Sequence, residues 1–327
     1  MKFFALFAAG MLILTADAVD LKTKTGEINK EKHIMKLGII GGSGFSSFEN
    51  FVIERSENVK TPFGEPSAPF LIGKFKGVET VFLNRHGKGH HIAPNELNHR
   101  ANIYAMKVLG VTHILSLSAV GSLKEELAPR DVVIVDQYFD RTKSGVNSFF
   151  GEGIVAHISM AEPVCPELSK LAFQAAEKAA QKVPADKRPR IHMGGTYVNM
   201  EGPAFSTKGE SRIYKSWGLD VIGMTNMFEA RLAREAGICY TTAAMVTDYD
   251  SWRAGFEPVT VDMIIANLKA NAALAKDMIE YFAEGFKNLK HECACAHALD
   301  CAIITEKSVI PEQKRKELAP IIGNRLD

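Results

Sequence analysis

The chain has 327 residues, enough for one large domain or two small ones with a substantial core. Its 39 basic and 38 acidic residues are interspersed and leave a formal charge of +1, so no basic face points to nucleic acid or a membrane surface. The absence of an internal repeat or low-complexity tract excludes solenoids and arrays and leaves a small molecule as the expected ligand.

In chain order, Lys2 precedes an apolar run over residues 3–15, and Ala16-Asp17-Ala18 follows. This is the pattern of a secretory signal peptide, and it is short for a membrane span. A polar segment continues to residue 34, and Met35-Lys36 opens the first strand. Residues 1–34 are therefore expected either as a removed leader or as sequence ahead of a cytosolic start at Met35. The stretch from Leu37 to Phe45 reads as a short apolar strand breaking into glycines and Ser43, a turn that frees N–H and hydroxyl donors for an anion or is simply a turn. Its glycine spacing completes neither a P-loop nor a dinucleotide fingerprint.

Residues 52–76, with Pro62, Gly64, Pro66 and Pro69, read as hairpin-like strands and turns. A strand over 78–83 delivers Arg85 and His86 among glycines, and a guanidinium fork suits bidentate capture of an oxyanion. Residues 95–109 form a helix entered at Pro94. A buried strand over 113–117 ends in Ser116-Leu-Ser118-Ala119-Val120-Gly121-Ser122, the third strand end with anion-suited groups; ligands of α/β proteins collect at such ends. Another strand spans 131–138. The long loop 143–161, which contains His157, is expected to cover a site or a subunit contact.

Residues 166–182 form an amphipathic helix. The segment 197–205 leads into a helix capped by Ser206 or Thr207, with Glu210 at the capping-box position, and Phe205 there suits either stacking on a flat ligand or a place in the core. A strand-to-loop junction at 221–225, a helix over 229–236 and a long helix over 261–289 follow. Between the last two lies a strand, 243–246, that ends in Asp248 and Asp250. Two apart on extended backbone, these carboxylates project to one side, and mutual repulsion in a partly buried place raises one of them toward a neutral-pH acid. The alternative is an Asp-rich turn capping the next helix.

Five cysteines, Cys165, Cys239, Cys293, Cys295 and Cys301, are an odd number. Three of them lie near the carboxyl end with His291 and His297, but the spacing matches no zinc pattern, so no metal is expected. They read as solvated thiols, with a Cys293–Cys295 disulfide open to an exported chain.

Six motifs occur in an order that closely resembles the S-methyl-5'-thioadenosine phosphorylases, members of the trimeric purine nucleoside phosphorylases. They are Gly41-Gly-Ser-Gly-Phe45, Asn84-Arg-His-Gly87, Ser118-Ala-Val-Gly-Ser122, Glu201-Gly-Pro203, Gly223-Met-Thr225 and Thr247-Asp-Tyr-Asp250. The resemblance covers residues 35–289 and leaves 290–327 as an appendage of short helices. It implies a single α/β domain with a central mixed sheet flanked by helices, a homotrimer, and no metal or organic cofactor, inorganic phosphate being a co-substrate. By the same resemblance Ser43, Arg85, His86, Ser118, Ala119 and Thr225 hold phosphate, Met224 lies under the ribose and Phe205 against the base. Asp248 is the acid at purine N7, Asp250 orients it, Ser206 and Val261 tune substrate choice, and His157 reaches a neighbouring subunit's site. The implied reaction is phosphorolysis of S-methyl-5'-thioadenosine, with a 6-oxopurine or methylthioinosine phosphorylase and an exported nucleoside-binding protein as alternatives.

Overall fold

The computed structural model describes residues 35–43, 45, 50–143, 148–253, 261–290 and 292–326, without the side chains of 261–264. The expected leader lies outside the described residues. Strand β1 (Leu37–Gly41) is buried throughout. Strands β2 (Phe51–Glu57), β3 (Phe70–Phe75) and β4 (Val78–Asn84) form an antiparallel run. Helix α1 (His99–Val108) starts later than its apolar spacing predicts, because the Asn98 side chain accepts the Ala101 N–H at 3.1 Å and caps it there.

Next come β5 (His113–Ser122), β6 (Val132–Ile134), β7 (Gln137–Asp140) and α2 (Pro166–Gln181). The chain continues through β8 (Ile191–Met193), β9 (Thr196–Asn199), α3 (Lys208–Ser216), β10 (Val221–Gly223) and α4 (Asn226–Glu235). Then follow β11 (Cys239–Tyr249), α5 (Val261–Phe286), α6 (Glu312–Glu317) and α7 (Ala319–Ile322). Thr207 caps α3 through the expected box, its hydroxyl accepting from Glu210 N–H at 3.2 Å while the Glu210 carboxylate accepts from Thr207 N–H at 2.8 Å.

Among the described residues eleven strands form one mixed sheet, ordered β2-β3-β4-β1-β5-β10-β9-β7, with β11 also paired to β5 and β6, and β6 to β8. Pairing is parallel for β1 with β4 and β5 and for β5 with β11, and antiparallel for β5 with β10. Strand alternation divides the core: Ile39, Leu115 and Leu117 face α2 and α5, while Ile40 and Ile114 face α1 and α4. Each such fully buried side chain contributes roughly 1.5–3 kcal/mol. The helix pair on the first face packs closely because α2 presents Ala172, Ala175, Ala176 and Ala179 at helical spacing.

Two elements differ from the sequence reading. Strand β5 runs on to Ser122, because β11 and β10 supply ladder partners for residues expected as loop. The strand expected over 131–138 breaks into β6 and β7, which pair with different neighbours. The carboxyl-terminal segment is also no separate appendage: Leu299, Ile310, Leu318 and Ile322 enter the core beside α1 and α4, within one compact unit, Met35–Asp327. No helix among the described residues is long and apolar enough to cross a membrane.

Candidate active site

The ends of β1, β4, β5, β10 and β11 open on one cavity of about 360 Å³. Ser43, Arg85, His86, Ser118, Ala119, Met224, Thr225, Phe205, Asp248 and Asp250 all line it. Arg85 and Asp248, far apart in sequence, thus face the same space. Ser206 stands just behind the wall and donates from Oγ to Asp250 Oδ2 at 2.6 Å. His157 is exposed and outside this lining, its backbone N–H donating to Ala302 O at 2.9 Å. Val261 opens α5, and its side chain lies outside the described residues.

The two acids meet by a route the strand pattern does not give. Extended geometry is interrupted by a register shift between Val246 and Asp248, and Asp250 lies just past the end of β11. Gly121 stands opposite both: a Cβ there would meet Asp248 Oδ2 and Asp250 Cβ in ordinary contact at 3.4 Å and would crowd Ile222 Cγ2 at 3.0 Å. Burial, with a smaller contribution from the Asp250 charge, pushes the Asp248 carboxyl up to about 6, against the Thr247 hydroxyl, which donates to Asp248 Oδ1 at 2.6 Å and lowers it.

At the opposite end Arg85 is fully buried. Its guanidinium is held bidentately, by Glu229 rather than by an open oxyanion site: Nη2 donates to Glu229 Oε2 at 3.1 Å and to Ser116 Oγ at 2.6 Å, Nε donates to Glu229 Oε1, and Nη1 donates to Leu117 O at 2.9 Å. Of five N–H groups, one on Nη1 remains for the cavity. The expected bidentate grip on an anion is therefore not what Arg85 can offer. Burial alone would lower the Arg85 pKa, but the Glu229 charge reverses this and raises it. Burial would correspondingly raise Glu229, and Arg85 holds it down. Gly42 permits this packing, since a Cβ there would lie 2.5 Å from Arg85 Nη1.

His86 is lowered to about 4, by burial first and then by the Arg85 charge, so it is neutral at pH 7. Its Nδ1 lies 2.9 Å from Ile92 O, an acceptor, which fixes the proton on Nδ1 and leaves Nε2 as a lone-pair acceptor. Thr225, the residue before the first turn of α4, brings that helix's N-terminus to the cavity, where the dipole favours negative charge.

Sequence reasoning missed the polar network beneath this end. Asn226 Nδ2 donates to Ser116 Oγ at 2.9 Å and to Thr242 Oγ1 at 3.0 Å, and Tyr240 OH donates to Glu229 Oε2 at 2.8 Å. The only signal was a set of polar residues inside apolar runs, Ser116 on β5 and Thr242 on β11, with Glu229 read merely as a helix start. His90, stacked on His86 with ring centroids 4.1 Å apart, and Gly121 were likewise not singled out.

Of the three cysteines expected as solvated tail thiols only Cys301 is exposed, Cys295 being buried and Cys293 half-buried; Cys165 and Cys239 are buried as well. Burial follows from the tail packing, which no spacing rule encodes.

Residues 36–284 match the family described as the phosphorylase superfamily. A Geobacter sulfurreducens protein named S-methyl-5'-thioadenosine phosphorylase is 50% identical over 289 residues, covering 88% of this chain and 98% of the relative. One of the same name from Synechocystis is 44% identical and covers 96% of this chain and 98% of the relative. A methylthioadenosine phosphorylase from an antarctic soil metagenomic library has a solved structure that superposes with a TM-score of 0.82 at 43% identity, covering 89% and 99% of the two chains. A Schistosoma mansoni adenosine/methylthioadenosine phosphorylase mutant, solved with methylthioadenosine, superposes at 0.72 with 37% identity, covering 81% and 98%.

Proposed function

The chain belongs to the phosphorylase superfamily, and we propose that it is an S-methyl-5'-thioadenosine phosphorylase, a pentosyltransferase that converts S-methyl-5'-thioadenosine and inorganic phosphate to adenine and 5-methylthioribose 1-phosphate. The observation that carries the reading is a carboxyl raised to about 6 facing, across one cavity, a set of hydroxyl and N–H donors suited to an oxyanion.

In the reaction a phosphate oxygen forms a bond to ribose C1' from the face opposite the base, as the bond from C1' to N9 breaks. The electron pair of that bond enters the purine, and N7 takes the proton from Asp248. The phosphate that those donors hold and the acid thus act on the two charges that develop as the bond breaks, the anion on an oxocarbenium-like sugar and the acid on an anionic base. Phosphate is assigned to Ser43, Arg85, His86, Ser118, Ala119 and Thr225, the ribose to Met224 and the base to Phe205. His86 Nε2, as an acceptor, suits the hydroxyl of a hydrogen phosphate. Asp250, held by Ser206, is assigned to the 6-amino group. Carboxylates that accept hydrogen bonds favour adenine over a base bearing O6, which would face them unpaired. No organic cofactor or metal takes part in this chemistry.

His157 is assigned to the cavity of a second copy in a homotrimer; full activity in a chain that sediments as a monomer would remove it from that role. The deciding experiment is adenine release with and without phosphate. Release should require phosphate and should be faster from S-methyl-5'-thioadenosine than from methylthioinosine. Release in phosphate-free buffer would mean hydrolysis, and binding without release would mean a carrier.

A further inference from the structure

Away from the cavity, four cysteines converge from three distant parts of the chain. The Sγ atoms of Cys165, Cys239, Cys293 and Cys295 all lie within 4.8 Å of one another. Cys165 is the residue before the first turn of α2, Cys239 opens β11, and Cys293 and Cys295 sit in the tail. We propose that these four thiolates form a tetrahedral site for a structural divalent metal, zinc in the first place, that fastens the tail to α2 and β11.

The geometry decides against the simpler alternatives. Four sulfurs around one zinc at about 2.3 Å stand about 3.8 Å apart, so the widest pairs need no more than about 1 Å of contraction, while Cys239 and Cys293, at 3.2 Å, must open by about 0.6 Å to take up an ion. Disulfides would join the sulfurs in pairs at about 2.05 Å and give no reason for all four to be mutual neighbours. Cys239 and Cys293, at 3.2 Å, are too far apart for that bond. Cys165, Cys239 and Cys295 do belong to the apolar core beside α2 and α5, as small buried thiols commonly do, but independent thiols of that kind have no need to bring all four sulfurs together.

The surroundings also suit a negatively charged tetrathiolate. Arg234 Nη1 approaches Cys295 Sγ at 3.6 Å, a cationic donor to a ligand sulfur of the sort that tunes metal sites. Cys165 stands at the N-terminus of a long helix, where the dipole favours a thiolate. The Cys165 backbone N–H donates to Tyr240 O at 2.9 Å, which ties two of the ligand-bearing segments together before any metal enters. On binding, the four thiols release their protons to solvent and no electron changes hands. With every ligand supplied by protein and none left open, the role is structural.

The spacing rule failed here because it looks for paired ligands along the chain. Cys293 and Cys295 do fall in a pair, closer than the rule's usual interval, and the other pair comes from folding. The site also bears on the tail's further contacts. Ala156 bridges to Ile303, and His157 N–H reaches Ala302 O, so the segment carrying His157 rests on the stretch this metal would anchor.

The test uses the whole chain purified under reducing conditions, with metal content by mass spectrometry. Expected is about one zinc per chain. After removal by chelator, Co²⁺ should restore a thiolate-to-cobalt charge-transfer band with a tetrahedral ligand-field spectrum, and the melting temperature should fall on removal and recover on zinc addition. Cys293→Ser with Cys295→Ser should lose the band and the metal, while Cys301→Ser, outside the cluster, should keep both. The chelated native chain keeps the test decisive if the double variant does not fold. No metal and no cobalt band from that reduced native chain overturns the proposal. Equal metal in the folded double variant overturns it as well.

Discussion

Asp248→Asn removes a transferable proton while preserving the shape of the side chain. Burial, aided by Asp250, pushes the Asp248 carboxyl up to about 6. In the free protein about half the molecules would carry the proton at pH 6, about a tenth at pH 7 and about a hundredth at pH 8. General acid assistance is worth about a hundred- to ten-thousandfold, equivalent to about 3–5 kcal/mol of barrier. At pH 6 the variant should therefore lose at least about a hundredfold in kcat, with the KM for phosphate changed by less than about twofold. The native kcat/KM should fall above about pH 6, and the variant should lack that limb. Asp250→Asn should move the limb to lower pH, since the Asp250 charge helps raise Asp248. Stability has its own sign. A folded-state pKa raised above the ordinary 3.8 gives a relative stabilisation present below 3.8 and lost as pH rises through about 6. Asp248→Asn should then be more stable than the native chain at neutral pH, by up to about 3 kcal/mol for a shift of about two units. Steady-state adenine release across the pH range measures the kinetic part. A variant kcat within about threefold of native at pH 6 would refute the acid assignment.

Glu229→Gln leaves the buried Arg85 charge unpaired and should cost about 3–5 kcal/mol in urea unfolding; a loss below about 1 kcal/mol would mean the pair is not what holds Arg85. Ser206→Ala removes the hydroxyl that donates to Asp250 and should weaken nucleoside KM by about 1–2 kcal/mol, roughly 5- to 30-fold, with phosphate KM unmoved. An equal change in both constants would place Ser206 outside the base side of the cavity.

The sequence made the strand ends legible because apolar runs stop abruptly at Gly41, Asn84 and Gly223, and buried backbone leaves no other way to read such breaks. The site was legible as motifs, and the cavity brings residues of all six together. What sequence did not carry was pairing in space. Arg85 appeared free to grip an anion because Glu229, on α4, is distant in sequence, and the bond between them exists only once β4, β5 and α4 pack. The bulge after Val246 was equally hidden, since alternation alone places Asp248 and Asp250 on one side without it. The tail cysteines illustrate the same limit: Cys295 is buried, and Cys293 packs, in the core beside α2 and α5, among residues distant in sequence.

The Glu229 contact changes how the lower end of the cavity would treat phosphate. Arg85 is already matched by a carboxylate, and His86 is neutral. What remains for an anion is hydroxyls, a single guanidinium hydrogen and the N-terminus of α4, groups that orient a dianion by hydrogen bonds without cancelling its charge. A phosphate held that way keeps its field. Below the sugar, that field favours the positive charge growing at C1' as the bond to N9 lengthens. Across the cavity, it adds to the repulsion from Asp250 and raises the Asp248 proton affinity further, so that nucleophile binding itself arms the acid. The pH limb of kcat, read at saturating phosphate, should then lie above the limb of the free protein. Identical limbs, or a lower one in the complex, would mean that Arg85 neutralises the anion after all and has let go of Glu229 to do so.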